Sequence, residues 1–374
     1  MGDIIIREVL TRKDRRDFIY LPSKIHKDHK NWLPPIYMDE WELYDKKRNK
    51  SYQYADAILL LAYKNNKLAG RIMGLVNNRY NEIHNEKHGR FCFMECYEDR
   101  EVFHELLKSV EDWARAKGMV KMVGPLGFSD KDPQGFQTEG FDTPYFMTAP
   151  TNHPYMPKMM DEEGYVKNVD LVNYIAPIPK IIPEVYIRTL SRVAKSPDLK
   201  IVEFTSKKEL KPYIVPVLEL MNQTFAEIYG FVPLTDKEKK DFAARYLPIL
   251  DPRFIKVVEN KDGLVGFAIG MPDISEGLRK AKGKLFPFGI FMILRESRRS
   301  KKLLMMLGGV KKEFRGLGID ALMAVKILET SIKSGMEVTD SHLVLEDNRR
   351  MRAEYERIGG SVVKKYRIYQ KDLI

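Results

Sequence analysis

Residues 302–320 place an apolar run, a basic turn carrying glycines and a helix start in immediate succession. The first turn of a helix leaves its backbone N–H groups without partners, so this order presents several donors to one anion. Gly316 and Gly318 let the backbone curl and approach a ligand with no Cβ in the way, while Lys311, Lys312 and Arg315 add positive charge at the mouth. Together they form a phosphate cradle. Gly308 and Gly309 interrupt the strand just before it ends at Val310, a placement that predicts a β-bulge with a freed backbone N–H. Downstream, Asn348 and Tyr355 stand seven apart on a helical run closed by Gly359 and Gly360, so two turns bring both to one helix face.

These residues resemble the acetyl-CoA loop of the GNAT acyltransferase superfamily, in which a strand ending in Val leads into Arg/Gln-x-x-Gly-x-Gly/Ala. Here the match is Val310, then Arg315-Gly316-Leu317-Gly318-Ile319, with Asp320 where the family prefers Gly or Ala. A carboxylate there can cap the helix but repels a pyrophosphate. The resemblance implies that Gly309, Val310, Lys311, Lys312, Arg315, Gly316, Leu317, Gly318 and Ile319 hold acetyl-CoA or another acyl-CoA. It also implies that Asn348 contacts the pantetheine arm and that Tyr355 protonates the departing thiolate. The implied reaction is direct attack of an amine, from a small molecule or a peptide, on the thioester. Its general base stays open among Glu227, Asp273, Glu296 and a water. The leading expectation is therefore an N-acetyltransferase; the alternative is a non-catalytic module binding a CoA-like anion or an acidic surface.

The rest of the chain must position these groups. Its 374 residues exceed what one core usually serves, and 44% hydrophobic with 11% aromatic residues supports packed domains rather than a disordered chain. Sixty-three Lys and Arg against 52 Asp and Glu leave a net charge of +11, which suits an anionic partner. The basic residues are spread and no reading motif occurs, so nucleic acid is not expected. The only concentrated group is Arg295 to Lys302, with five bases in eight residues, a solvated face or a contact to the CoA 3′-phosphate or an acidic lipid surface. No transmembrane run is present and a cytoplasmic location is expected. No metal site is expected, since His84 and His88 lack partners at ligand spacing. Cys92 and Cys96, four apart on one strand, should share a face without bridging.

The chain reads twice through the same order of elements. Leu68-Ala69-Gly70 with Gly74 returns as Leu264-Val265-Gly266 with Gly270, and Gly164 returns as Gly360, each 196 positions on. This doubling predicts two copies of one α/β unit, and the resemblance then implies an α/β (α+β layered) chain of two tandem GNAT-like domains, each a mixed, mostly antiparallel sheet flanked by helices. The first, 1–178, lacks a phosphate loop, having acidic residues at 96–101 where the second, 179–374, has its basic glycines. That plan is similar to N-myristoyltransferase and mycothiol synthase. Between Gly124 and Pro157 lie six prolines with Phe128, Phe136, Phe141, Tyr145, Phe146 and Tyr155, a long aromatic segment that either contacts the acceptor or covers the domain interface. A helical stripe is expected over 207–228.

Overall fold

Asn65 and Asn66 sit at φ 50° and 62°, the left-handed conformation that asparagine tolerates, and they turn a hairpin between β2 (Ala55–Lys64) and β3 (Lys67–Asn77). Its counterpart joins β9 (Ile255–Asn260) to β10 (Gly263–Pro272). The repeated glycines explain themselves here. A Cβ on Gly70 would stand 2.7 Å from Leu106 in the helix Arg100–Ala116, and one on Gly266 would stand 2.9 Å from Ile319 in the helix Ile319–Lys333. In both copies a long helix lies flush on the hairpin, and glycine is what permits the approach.

The computed structural model describes residues 3–145, 147, 149–193 and 198–373; Phe146 of the aromatic segment falls outside them. The remaining strands are β1 (Ile4–Glu8), β4 (His88–Cys96), β5 (Lys121–Gly124), β6 (Phe136–Glu139), β7 (Val166–Pro177), β8 (Lys200–Glu203), β11 (Lys302–Val310), β12 (Val338–Leu345) and β13 (Ser361–Asp372). Among the described residues all thirteen form one sheet, in the order β1-β2-β3-β4-β5-β13-β7-β12-β11-β10-β9-β8, with β6 paired to β13. The sheet is mixed and mostly antiparallel: β4 runs parallel to β5 and β11 to β12, each over three rungs only. At the centre the two halves exchange their last strands. β7, which ends the first half, pairs with β12, and β13 inserts between β5 and β7.

Helices cover both faces. Val102, Phe103, Leu106, Leu107 and Val110 of the helix Arg100–Ala116 are fully buried on the first half, each contributing about 1.5–3 kcal/mol of apolar burial. The helix Ile319–Lys333 does the same on the second half through Ile319, Met323 and Ile327. The stripe over 207–228 is broken. It forms Lys207–Leu210, a 3-10 turn Lys211–Tyr213 and Ile214–Thr224, because Pro212 removes a helical N–H and Phe225 ends the last turn.

The cysteines also depart from expectation. Phe93 adopts φ 50° and the β3–β4 register shifts between Arg71 and Met73, so a bulge lies between Cys92 and Cys96. Alternation is reset, and the two thiols enter cores on opposite sides of the sheet. Burial raises both thiol pKa values, which leaves them unreactive.

Candidate active site

β11 and β12 pair at Lys302↔Val338, Leu303↔Thr339 and Leu304↔Asp340, and then part. Beyond that point β11 continues along β10 to Val310, while β12 continues along β7 through Leu343↔Asn173, Val344↔Val172 and Leu345↔Leu171. Residues 305–310 therefore present one backbone edge to an opening rather than to a strand. The opening leads to the loop 311–318, whose backbone N–H groups at Gly316, Leu317, Gly318 and Ile319 make no hydrogen bond of good geometry within the described residues. Gly316 and Gly318 take φ 82° and 84°, conformations that only glycine adopts without strain, and a Cβ on Gly316 would meet nothing within 4 Å. The loop faces outward.

Each residue expected at this site has a definite place. Arg315 folds back along the loop, its Nε donating to the Val310 carbonyl at 3.1 Å and Nη2 to the Thr224 carbonyl at 3.4 Å. Among the described residues no carboxylate holds it. Lys311 is half-buried, and Lys312 is exposed beside Glu227 at 3.2 Å, an ion pair worth little in water. Leu317 is exposed, whereas the Ile319 side chain is core. Asp320 accepts the Ala321 N–H at 2.9 Å, so its carboxylate occupies one helix-start donor.

The expected bulge at Gly308–Gly309 is not there. Both glycines pair in register with Ala268 and Phe267, and the irregularity falls at Met306, where Ile269↔Leu307 is followed by Gly270↔Met305. Gly309 is needed for another reason: a Cβ on it would stand 2.6 Å from Thr224 Oγ1.

Asn348 and Tyr355 share a helix but not an environment. Asn348 is the exposed N-cap of Arg349–Arg357, its Oδ1 accepting the Met351 N–H at 3.2 Å. Tyr355 is buried among Val172, Tyr174, Ala176 and Val344, its ring 5.7 Å from that of Tyr174. Burial first, then the nearby Asp340 carboxylate, pushes its phenol well above the ordinary value, so it remains protonated.

The fork itself holds a polar cluster that the sequence reading did not pick out. Asp340, on the last rung, is buried; its Oδ1 accepts Asn173 Nδ2 at 3.0 Å and the His342 N–H at 2.8 Å. Burial raises its carboxyl to about 6, against the opposing pull of those two hydrogen bonds and of Lys302. Lys364 on β13 is buried too, and burial lowers its ammonium to about 8. His342 bulges from β12 at φ 61°, an uncommon conformation for a residue with a side chain. Its Nδ1 accepts the Leu343 N–H at 2.7 Å, which places the ring proton on Nε2, and burial holds the imidazole neutral with a pKa near 4.

Among the described residues, Asn173 Oδ1, Thr339 Oγ1 and the Tyr366 hydroxyl are buried without a hydrogen-bond partner. Such atoms are costly to bury. A polar trio, Asp340-Ser341-His342, inside an otherwise apolar strand was the available signal.

Of the base candidates, Glu227 pairs with Lys312 in solvent and Glu296 with Lys280 at 3.0 Å. Only Asp273 lies near the fork, and it accepts the Ser275 N–H while facing Lys302 at 3.4 Å. In the aromatic segment Asp132 accepts the Phe128 N–H at 2.7 Å, and Glu139 pairs with Lys365 at 2.9 Å. The Tyr145 hydroxyl donates to Glu276 at 2.7 Å, tying the segment to the second half.

No protein-family model matches the chain. A bacterial ceramide synthase of Caulobacter vibrioides is 28% identical over 379 residues, covering 100% of this chain and 98% of that protein. Protein YghO of Escherichia coli is 25% identical over 380 residues, covering 99% and 95%. Among solved structures, a tandem GNAT protein from the clavulanic acid biosynthesis pathway superposes with a TM-score of 0.58 at 11% identity, covering 100% of this chain and 99% of that one. A GCN5-related N-acetyltransferase from Sphaerobacter thermophilus gives 0.53 at 14% identity, covering 99% and 96%. The chain has a tandem GNAT fold.

Proposed function

We propose that this tandem GNAT chain is an acyl-CoA-dependent N-acyltransferase, with a fatty acyl donor and the amine of a long-chain amino alcohol as acceptor. The observation that carries it is the parting of β11 from β12 at Asp340 in line with the free N–H groups at 316–319. The pyrophosphate would rest on that loop beside Arg315, Lys311 and Lys312, and the pantetheine arm would lie along residues 305–310 as a surrogate strand. Asn348 would contact that arm from the start of the helix Arg349–Arg357. The full-length likeness to a ceramide synthase supports a long-chain acceptor in preference to the acetyl transfer expected first.

The reacting carbonyl would then sit at the fork. The acceptor nitrogen attacks it, forming the C–N bond as the C–S bond breaks. Asp340 takes the proton released by the amine, the His342 Nε2–H donates to the developing oxyanion, and the Tyr355 phenol protonates the thiolate. Burial suits each group to its role: it makes the carboxylate a better base, keeps the imidazole a neutral donor and keeps the phenol protonated. Asp320, which occupies a helix-start N–H, favours the alternative of a binding module without turnover.

Release of free CoA thiol from acetyl- to palmitoyl-CoA, measured with and without a long-chain 2-amino alcohol and with the product identified by mass, separates the two. Acceptor-dependent release that rises with acyl length is expected; CoA binding with no acceptor-dependent release leaves only the module. Tyr355→Phe should bind CoA normally and turn over about 10²-fold more slowly, and unchanged turnover removes the general-acid role.

A further inference from the structure

We infer that His26, His29 and His153 form a binding site for a divalent transition metal, zinc in the first instance, on the first half of the chain. One ligand atom from each lies within 4.8 Å of the others. His26 caps the helix Arg12–Ile25, His29 follows one turn later with its N–H on the His26 carbonyl, and His153 arrives from the long aromatic segment. The arrangement of their outer nitrogens is what singles the cluster out. His26 Nε2 lies 3.0 Å from Glu95 Oε2, and His153 Nε2 lies 3.4 Å from the Ile25 carbonyl. Each contact holds the ring proton on Nε2 and leaves Nδ1 as a lone-pair donor, the tautomer that metal-ligating histidines adopt when a carboxylate or carbonyl orients them.

His29 Nδ1–H donates to His26 Nδ1 at 3.0 Å, and an ion taking both nitrogens would displace that proton; the separation is close to the spacing of about 3.3 Å that two nitrogens take around a tetrahedral zinc at 2.0–2.1 Å. Glu95, 3.0 Å from His26 Nε2, supplies compensating charge, and Trp32 stacks on His26 at 5.2 Å. Three nitrogens leave a fourth position for water or a ligand group. The ion would fasten the aromatic segment to the first helix. The three-residue spacing of His26 and His29 was legible, but His153 joins them only through the fold.

The test uses the full chain, stripped with a chelator and titrated with Zn²⁺ and Co²⁺. One equivalent should bind, with the visible absorption of tetrahedral cobalt and a raised melting temperature. His29→Ala and His153→Ala should each lower affinity by at least 10²-fold, and Glu95→Gln by 10- to 100-fold, with far-ultraviolet dichroism unchanged. Absence of a bound equivalent, or affinity indifferent to His29→Ala and His153→Ala, overturns the site.

A separate observation carries a second proposal. Phe286, Phe288 and Phe291 are 75%, 68% and 66% exposed, with Met292 and Leu294 exposed beside them, at the start of the helix Gly289–Arg299. Lys282, Lys284, Arg295, Arg298 and Arg299 are exposed around them and make no ion pair among the described residues. The helix is anchored through Ile293, against which Gly277 packs too closely for a Cβ, so these aromatics cannot simply turn inward. We propose that this apolar face with its basic rim docks on an anionic bilayer, rings in the acyl boundary and cations at the headgroups. The core beneath it includes Met306 of β11, which places the docked face beside the opened strands.

Co-sedimentation with phosphatidylglycerol vesicles should exceed that with phosphatidylcholine and fall with salt. The triple Phe→Ser variant at 286, 288 and 291 should abolish it, and the Arg→Gln triple at 295, 298 and 299 should weaken it about 100-fold. Equal binding to both lipids, or a face occupied instead by a second copy in sedimentation equilibrium, overturns the proposal.

Discussion

Asp340→Asn is expected to lower kcat by 10²–10⁴-fold while leaving the KM for acyl-CoA nearly unchanged. Asparagine keeps an acceptor oxygen for Asn173 and for the His342 N–H, so the bulge that presents His342 should persist. What it loses is the capacity to hold a proton. The wild-type rate should rise with pH through about 6, because burial has lifted this carboxyl out of its ordinary range and only the ionised form accepts a proton from the amine. Below that pH the group is protonated and the limb falls; well above it the rate levels. The variant should show no such limb. Lys302→Met supplies the control, since its ammonium is one of the groups holding the Asp340 pKa down; removing it should carry the limb to higher pH. A limb at the same pH in Asp340→Asn assigns the base to another group.

Much of this architecture was readable because it rests on local chemistry. Asn65-Asn66 has the chemistry of a left-handed turn, whereas Gly70 and Gly266, legible only as a repeat, owe their place to a helix lying on a hairpin. The glycines at 316 and 318 announced a backbone conformation that the chain adopts. Features set by partners distant in sequence were not readable. The insertion of β13 between β5 and β7 joins the halves through strands that a repeat offset assigns to separate units, and no local pattern encodes an exchange. The bulges at Met306 and Phe93 moved a freed backbone group and a cysteine away from where glycine count and simple alternation put them. Asp340 looked like one acid among 52 because its chemistry comes from burial at a fork, which the strand reveals only once β7 has claimed its far end.

Gly318→Val is expected to weaken CoA binding by at least 10²-fold with little change in global stability. At φ 84° a β-branched residue is strained, so the backbone must leave the left-handed region and the N–H groups of Leu317, Gly318 and Ile319 cease to converge. The loop is exposed and carries little core, so the fold can absorb the change that the anion site cannot. Gly316→Ala is the milder comparison: its Cβ would project into open space, leaving only the backbone cost, about 1 kcal/mol or fivefold in affinity. Arg315→Ala should cost about tenfold, as it removes a cation that no carboxylate neutralises among the described residues and frees the Val310 carbonyl it braces.

Calorimetry with CoA, followed by pantetheine alone, distinguishes these losses from indirect ones. All three variants should bind pantetheine as the wild type does, because that fragment lacks the diphosphate. The order Gly318→Val, Arg315→Ala, Gly316→Ala in lost CoA affinity follows from donor geometry outweighing point charge at a cradle of free N–H groups. Equal CoA affinity across the series would place the diphosphate elsewhere, and the opening between β11 and β12 would then have no anchored donor to receive.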